Sequence, residues 1–217
     1  METFVVIGLG RFGSALAEEL CSQGHQVLAV DPDEKAVQRI ADRVTQAVAA
    51  DCQDSETLEM LGVKDADCAV VAFSGDIGAS VLITLNLKNQ GVPKVICKAR
   101  SHSHAEILRR IGADQVVFPE HEGGRNLARG LANRDIISYI ELSEGFGIVK
   151  LRVPRIWRDK TLRTLDIRHR YRVNVIAIQN GDGRVNHVPE ADYAFRRDDL
   201  IFALGSKEYT DRILELE

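Results

Sequence analysis

Apolar residues along this chain arrive in short runs that alternate with amphipathic stretches. The opening residues, METFVVIGLGRFGS, are an apolar run that breaks at Gly8-Leu9-Gly10-Arg11-Phe12-Gly13 and continues with apolar positions at Phe12, Ala15, Leu16 and Leu20. Spacings of three and four mark a helix, and the run before the glycines marks a strand. A second run, residues 26–30, ends in Asp31, and the pattern predicts a helix over 33–42 with Val37, Ile40 and Ala41 on one face. Further strands are predicted at 47–50, 69–73, 95–98 and 115–118. Between them stand a helix led by Asp54 or Ser55, a long one ending near Gly91, one opened by a capping box at Ser103–Glu106, and a last one from Pro119-Glu120 through Arg134. The run at 69–73 is apolar throughout, as a strand covered on both faces should be. Strand and helix in steady alternation predict an α/β domain, a doubly wound parallel sheet of the Rossmann kind, over residues 1–134.

From residue 135 the rhythm changes to strands at 136–142, 147–153, 173–178 and 200–204, with Asn180-Gly181-Asp182-Gly183 as a hairpin turn leading to 184–188. Ser206 is expected to cap a short helix carrying Ile213 and Leu214. Residues 135–217 therefore read as a second, small α+β domain with its own core.

In a doubly wound sheet, ligands gather beyond the carboxyl ends of the strands. The predicted tips carry Gly8 to Gly13, Asp31, Asp51, Ser74-Gly75, Lys98 with Arg100, and Glu120. In the first of these, Gly8 permits a sharp turn, Gly10 leaves room for a phosphate to approach the backbone, and Gly13 lets the helix lie against its strand. The loop N–H groups at a helix N-terminus then suit a phosphate. Asp31, eighteen residues after Gly13, is placed to accept hydrogen bonds from ribose hydroxyls, or it is a turn residue before Pro32. Arg11 projects from the mouth of the loop toward a terminal phosphate, or is a solvated surface arginine. Phe12 and Asp33 flank these positions and complete the first candidate set.

Composition narrows the partners. The chain has 217 residues, 28 basic and 32 acidic, a net charge of −4 and a pI near 5.9, which argues against a nucleic-acid protein. No run approaches the length of a membrane span, and the N-terminus enters a strand without a signal-peptide pattern. Cys21, Cys52, Cys68 and Cys97 lack paired spacing and read as small buried thiols in a reducing compartment. His102 and His104 form an HxH without a third ligand, and no catalytic motif stands out, so the chain reads as a binder rather than an enzyme. One stretch departs from the acidic average: residues 152–172 carry eight basic residues against Asp159 and Asp166. Such density attracts an anionic small molecule, an acidic partner or a lipid surface, or it is a solvated face. Trp157 in its middle is expected to anchor packing or an interface.

Several segments together carry a family likeness. FVVIGLGRFGSALAEEL, GHQVLAVDPDE, LGVKDADCAVVAF and IGADQVVFPEHEGG resemble the RCK (KTN) domain of the TrkA/KtrA family, the cytosolic nucleotide-binding gating subunits of potassium transporters. The ending, with NVIAI and RRDDLIFALGS, resembles that family's C-terminal RCK_C (TrkA_C) domain. The resemblance implies a homo-oligomer, dimers assembling to an octameric ring, peripheral on the cytoplasmic face of the membrane against a separate TrkH/KtrB-type translocating subunit. It implies ATP and ADP competing for the first site, with Gly8, Gly10 and Gly13 on the phosphates, Asp31 on the ribose, Asp51 and Cys52 by the adenine, and Lys98 on ribose or phosphate. Arg11 would reach a γ-phosphate across the dimer. Glu120 would bind a divalent cation, Mg or Ca, unless it is simply an acid beside a helix dipole. Some members bind cyclic di-AMP through their C-terminal domains, and the likeness of residues 166–176 puts Arg168 on a phosphate, Asn174 and Val175 near the base, and Pro189 close by. Alternatives from other classes are a small NAD-dependent oxidoreductase and an NADH redox sensor, because NAD, NADH and adenine nucleotides share the ribose that Asp31 would hold.

Overall fold

The structure, a computed structural model of the chain, describes residues 1–73, 75–132, 135–143 and 145–216. It divides into two compact units, Met1–Pro119 and Glu120–Glu217.

Among the described residues of the first unit, six parallel strands alternate with five α-helices. The chain order is β1 (Thr3–Ile7), α1 (Arg11–Ser22), β2 (Gln26–Asp31), α2 (Glu34–Ile40), β3 (Gln46–Ala49), α3 (Ser55–Met60), β4 (Cys68–Val71), α4 (Ile77–Asn89), β5 (Lys94–Lys98), α5 (His102–Arg110) and β6 (Gln115–Val117). The spatial order is β3-β2-β1-β4-β5-β6, so the winding reverses between β1 and β4. Strand side chains alternate between faces. Val5 and Ile7 pack with Leu58, Leu87 and Leu108 on one side, while Val6 packs with Ala17, Val37 and Ile40 on the other. Two buried faces make three layers, the doubly wound architecture expected from the sequence.

Asp33, Asp54 and Asp76 cap α2, α3 and α4 with their carboxylates. The capping box expected at Ser103 is not what opens α5. Ser101 is extended and its hydroxyl oxygen accepts from His104 N at 3.2 Å, so the helix begins two residues earlier, at His102. His104 is buried, and its Nδ1 accepts from Arg100 N at 3.3 Å. Three of the four cysteines are buried and all four are free thiols.

Helix α1 lies against the sheet at one point of very close approach. A Cβ on Gly13 would fall on the Gly8 carbonyl oxygen, well inside van der Waals contact, and 3.0 Å from Ala72 Cβ. Only hydrogen fits there.

The second unit contains α6 (Pro119–Ala132) from Glu120 onward, then β7 (Ile136–Ser143), β8 (Phe146–Arg152), α7 (Leu162–Leu165), α8 (Ile167–Tyr171), β9 (Asn174–Gln179), β10 (Val185–Asn186), β11 (Leu200–Ser206) and α9 (Lys207–Leu214). The sequence expectation divides the chain at 134/135; the compact units part between Pro119 and Glu120, which puts α6 with the second. The strands form an antiparallel sheet in the order β10-β9-β11-β8-β7. Its core closes around Trp157, fully buried against Phe195 and Tyr171 with ring centroids 6.0 and 5.1 Å away. Trp157 is thus a packing residue rather than an exposed anchor.

Two features differ from expectation. Helices α7 and α8 lie inside the basic stretch, and neither is long enough to show a helical period. They are fixed by the Thr161 capping box and by left-handed Asp166 (φ 44°) and Arg172 (φ 57°) on either side of α8. Ser206 stands at the start of α9, but its hydroxyl is buried and caps nothing.

Tyr193 donates to Asp199 Oδ2 at 2.8 Å. Burial, and then this bond, push its phenol up to about 12 from an ordinary 10.0. The unfolded chain loses the phenolic proton near 10 and the folded one holds it longer, so stability falls as pH rises from 10 to about 12. Tyr193→Phe is expected to flatten that alkaline loss, checked by urea unfolding as a function of pH. Gly13→Ala is expected to destabilise the first unit by about 3 kcal/mol or more, because the clash is with backbone, and the same unfolding experiment at neutral pH measures it.

Candidate functional site

The first candidate site grows from the glycine turn at the carboxyl end of β1. Gly8 is left-handed with φ +99°, and a side chain there would meet Phe73 N at 2.8 Å, so the loop can pass β4 only as glycine. Gly10 is the N-cap residue of α1, and a Cβ there would meet nothing within 4 Å. The space beside the loop backbone is open, as a group approaching the helix N-terminus requires. Gly13 seats α1 as described above. Because β1 borders β4 where the winding reverses, this turn stands in the crevice that such sheets offer to ligands.

Asp31 ends β2 and faces the loop. Its Oδ2 accepts from Leu9 N at 2.6 Å and its Oδ1 accepts from Asp33 N at 2.9 Å. The carboxylate therefore fixes the glycine loop in position while keeping lone pairs for further donors. Asp33 is exposed and spends its side chain on Lys35 N at 3.0 Å, the cap of α2. Lys98, at the tip of β5, lies with Nζ 5.8 Å from the centre of the Phe12 ring, which brings the β5 tip to the start of α1. Arg11 and Arg100 are exposed at the first turn of α1 and just after β5. Gly75 follows β4 and is exposed; Ser74 lies outside the described residues.

Asp51 and Cys52 follow β3 and line a notch of about 30 Å³ together with Gly8, Gln53 and Phe73. Burial, reinforced by the charges of Asp51 and Asp31, pushes the Cys52 thiol up to about 12. It is a neutral thiol at physiological pH and an unreactive wall of the notch. Phe73 was not anticipated as a site residue: in sequence it reads as the end of a strand, and only the β1–β4 pairing brings it beside Gly8. Leu9, within the glycine turn, takes part through its backbone N–H, which the pairing of β1 with β2 brings to Asp31.

Glu120 is exposed in the first turn of α6, in the second unit. Among the described residues no group of three or more His, Cys, Asp and Glu side chains is arranged to hold a metal ion.

The second unit has a recess of about 380 Å³ whose wall brings together Arg168, Asn174, Val175 and Pro189, the four residues singled out for a second ligand. Arg168 Nε donates to Asn174 Oδ1 at 2.7 Å, which orients the guanidinium with its other N–H groups available. Arg163 and Asp166 also line it, the first from the basic stretch and the second from the 166–176 segment, though neither stands among the four residues given a ligand contact. Arg163 pairs with Asp192 at 2.8 Å on the surface.

Comparison with known proteins agrees with this architecture. The TrkA-N domain family matches residues 4–119 and the TrkA-C domain family residues 147–217. The Ktr system potassium uptake protein A of Bacillus subtilis is 36% identical over 206 residues, 94% of this chain and 92% of that protein. Its namesake in Vibrio alginolyticus is 35% identical over 205 residues, 94% of this chain and 93% of that protein. Among solved structures, the GsuK RCK domain superposes with a TM-score of 0.66 at 21% identity, covering 99% of this chain and 47% of that one, a likeness of fold. With both domains matched in order and more than a third of its residues shared with the Ktr uptake proteins over nearly its whole length, this chain belongs to the TrkA-N/TrkA-C family.

Proposed function

We propose that this chain is the nucleotide-sensing regulatory subunit of a Ktr/Trk-type potassium uptake system, a binding protein rather than an enzyme. The observation that carries this reading is the open glycine turn at the reversal of the sheet, with Asp31 locking the loop and Lys98 beside Phe12. Relatives of nearly equal length bear the name of potassium uptake proteins, which favours regulation over the oxidoreductase alternative. No helix among the described residues is long and apolar enough to cross a membrane, so the ion path belongs to a partner of the TrkH/KtrB type, with this subunit docked at its cytoplasmic face. Exposed Leu127 and Leu131, one turn apart on α6, and Ile140 and Leu142 on β7 provide apolar surface for self-association into dimers and an octameric ring.

In this reading ATP and ADP share the first site. The loop N–H groups hold the phosphates, Asp31 takes the ribose, Asp51 and Cys52 flank the base, and Gly75, Lys98 and Arg100 complete the rim. Arg11 reaches the γ-phosphate of a neighbouring subunit's ATP, and Glu120 holds a divalent cation with it. ADP lacks the γ-phosphate, so the two nucleotides favour different ring conformations, each only as far as its differential affinity allows. The recess of the second unit takes cyclic di-AMP at a two-fold axis, one half of the ligand per chain, with Arg168 on a phosphate, Asn174 and Val175 at the base and Pro189 beside them.

Calorimetric titration of the full chain with ATP, ADP, NAD and NADH, with and without magnesium, checks the first site. The expected outcome is tight ATP and ADP binding with a magnesium effect on ATP alone, and a preference for NADH would overturn it. Arg11→Ala is expected to weaken ATP by about tenfold and leave ADP unchanged, because a charge-assisted phosphate contact is worth about 1.5–3 kcal/mol. Arg168→Gln is expected to weaken cyclic di-AMP by about tenfold or more with ATP affinity intact, and equal cyclic di-AMP affinity in the two proteins would refute that assignment.

A further inference from the structure

The basic stretch of residues 152–172 does not form one charged face. Arg163 and Arg168 go to the recess described above, where each has a partner: Asp192 for the first and Asn174 for the second. Arg152, Arg155 and Arg158 go elsewhere. They line a separate and larger recess, about 590 Å³, between the end of β8, the 3-10 turn at Arg155–Trp157, and the C-terminal part of α9. Among the described residues none of these three arginines takes part in an ion pair. Arg158 Nε is in addition buried with no hydrogen-bond partner. A guanidinium N–H shut from water without an acceptor is costly, and three cations lining one recess with a single carboxylate, Asp135, leave it net positive. An oxyanion in the recess would relieve both.

The rest of the wall says what the oxyanion would be attached to. Ile213 and Leu216 supply an apolar side, and the volume is that of a small-molecule pocket rather than a flat docking face. Trp157, although at the turn, is fully buried and offers no ring for a base to stack on. The carboxylate on the wall is Asp135, whose main-chain carbonyl accepts from Arg152 N at 3.0 Å. Three guanidinium groups against one carboxylate leave a net positive wall that suits a single anionic group.

We propose that this recess is a binding site for a small organic phosphate monoester, its phosphate held by Arg155 and Arg158 with Arg152, and its apolar body against Ile213 and Leu216. The proposal goes beyond the nucleotide reading and does not depend on it. It gives the regulatory unit an input separate from both sites discussed above, one that reports a phosphorylated metabolite.

Phenyl phosphate titrated into the full chain, followed calorimetrically, is the test. Saturable binding is expected, weakening with added salt, and absent for uncharged benzyl alcohol. Arg152 and Arg155 are exposed, so the double variant R152Q/R155Q keeps the fold and is expected to weaken phenyl phosphate by about tenfold or more. R158Q should do the same, while ATP binding stays unchanged in both variants. Equal affinity for phenyl phosphate in the parent and R152Q/R155Q would overturn the proposal, as would no saturable binding at millimolar concentration. Flotation with phosphatidylglycerol vesicles separates the remaining source: vesicle binding that the double variant loses, without phenyl phosphate binding, replaces the soluble ligand with a membrane surface.

Discussion

The first unit depends on two close approaches of backbone to backbone that meet at Gly8. Gly13 on α1 rests on the carbonyl of Gly8, and Gly8 in turn passes Phe73 at a distance no side chain permits. This double approach places the N-terminus of α1 directly over the end of β1, next to β4, where the sheet changes its direction of winding. Were the helix held off by even one methyl group, its start would shift away from the loop that Asp31 holds at Leu9 N and from Lys98, whose Nζ lies 5.8 Å from the Phe12 ring centre. The ligand crevice is thus a by-product of packing: the same absence of side chains that lets the helix close on the sheet exposes the loop amides.

Asp31 shows how the site is made rigid before any ligand arrives. One oxygen holds Leu9 N and the other Asp33 N, so the loop after β1 and the loop after β2 are tied by one carboxylate. Hydrogen bonds to an ionised acceptor are the stronger kind. A loop fixed in this way loses little freedom on binding, and more of the contact energy appears as affinity. Cys52, by contrast, contributes shape only, because burial keeps its thiol protonated.

The second unit distributes its charge by a different rule. The chain is acidic overall, yet its basic stretch is folded around a buried tryptophan so that arginines emerge on two sides. Left-handed Asp159, Asp166 and Arg172 punctuate this segment and turn it abruptly, at a conformational cost that the Trp157 core has to hold in place. The outcome is one recess whose arginines are paired and oriented, and another whose arginines are not.

Local chemistry made much of this legible in the sequence. The six parallel strands, the glycine turn, the acid ending β2, the hairpin at Asn180–Gly183 and the later run of antiparallel strands all follow from side-chain periodicity and from residues with restricted conformations, properties that a short segment carries by itself. What depended on neighbours far along the chain was not legible. Ser101 rather than Ser103 starts α5, its hydroxyl taken by His104 N, and α7 and α8 are too short to announce themselves. Phe73 becomes a site wall only through the pairing of β1 with β4, and the basic stretch splits in two only because Trp157 turns inward. Periodicity fixes which way a residue points within its own element; the partner it meets there is decided by packing between elements, which only the tertiary structure contains.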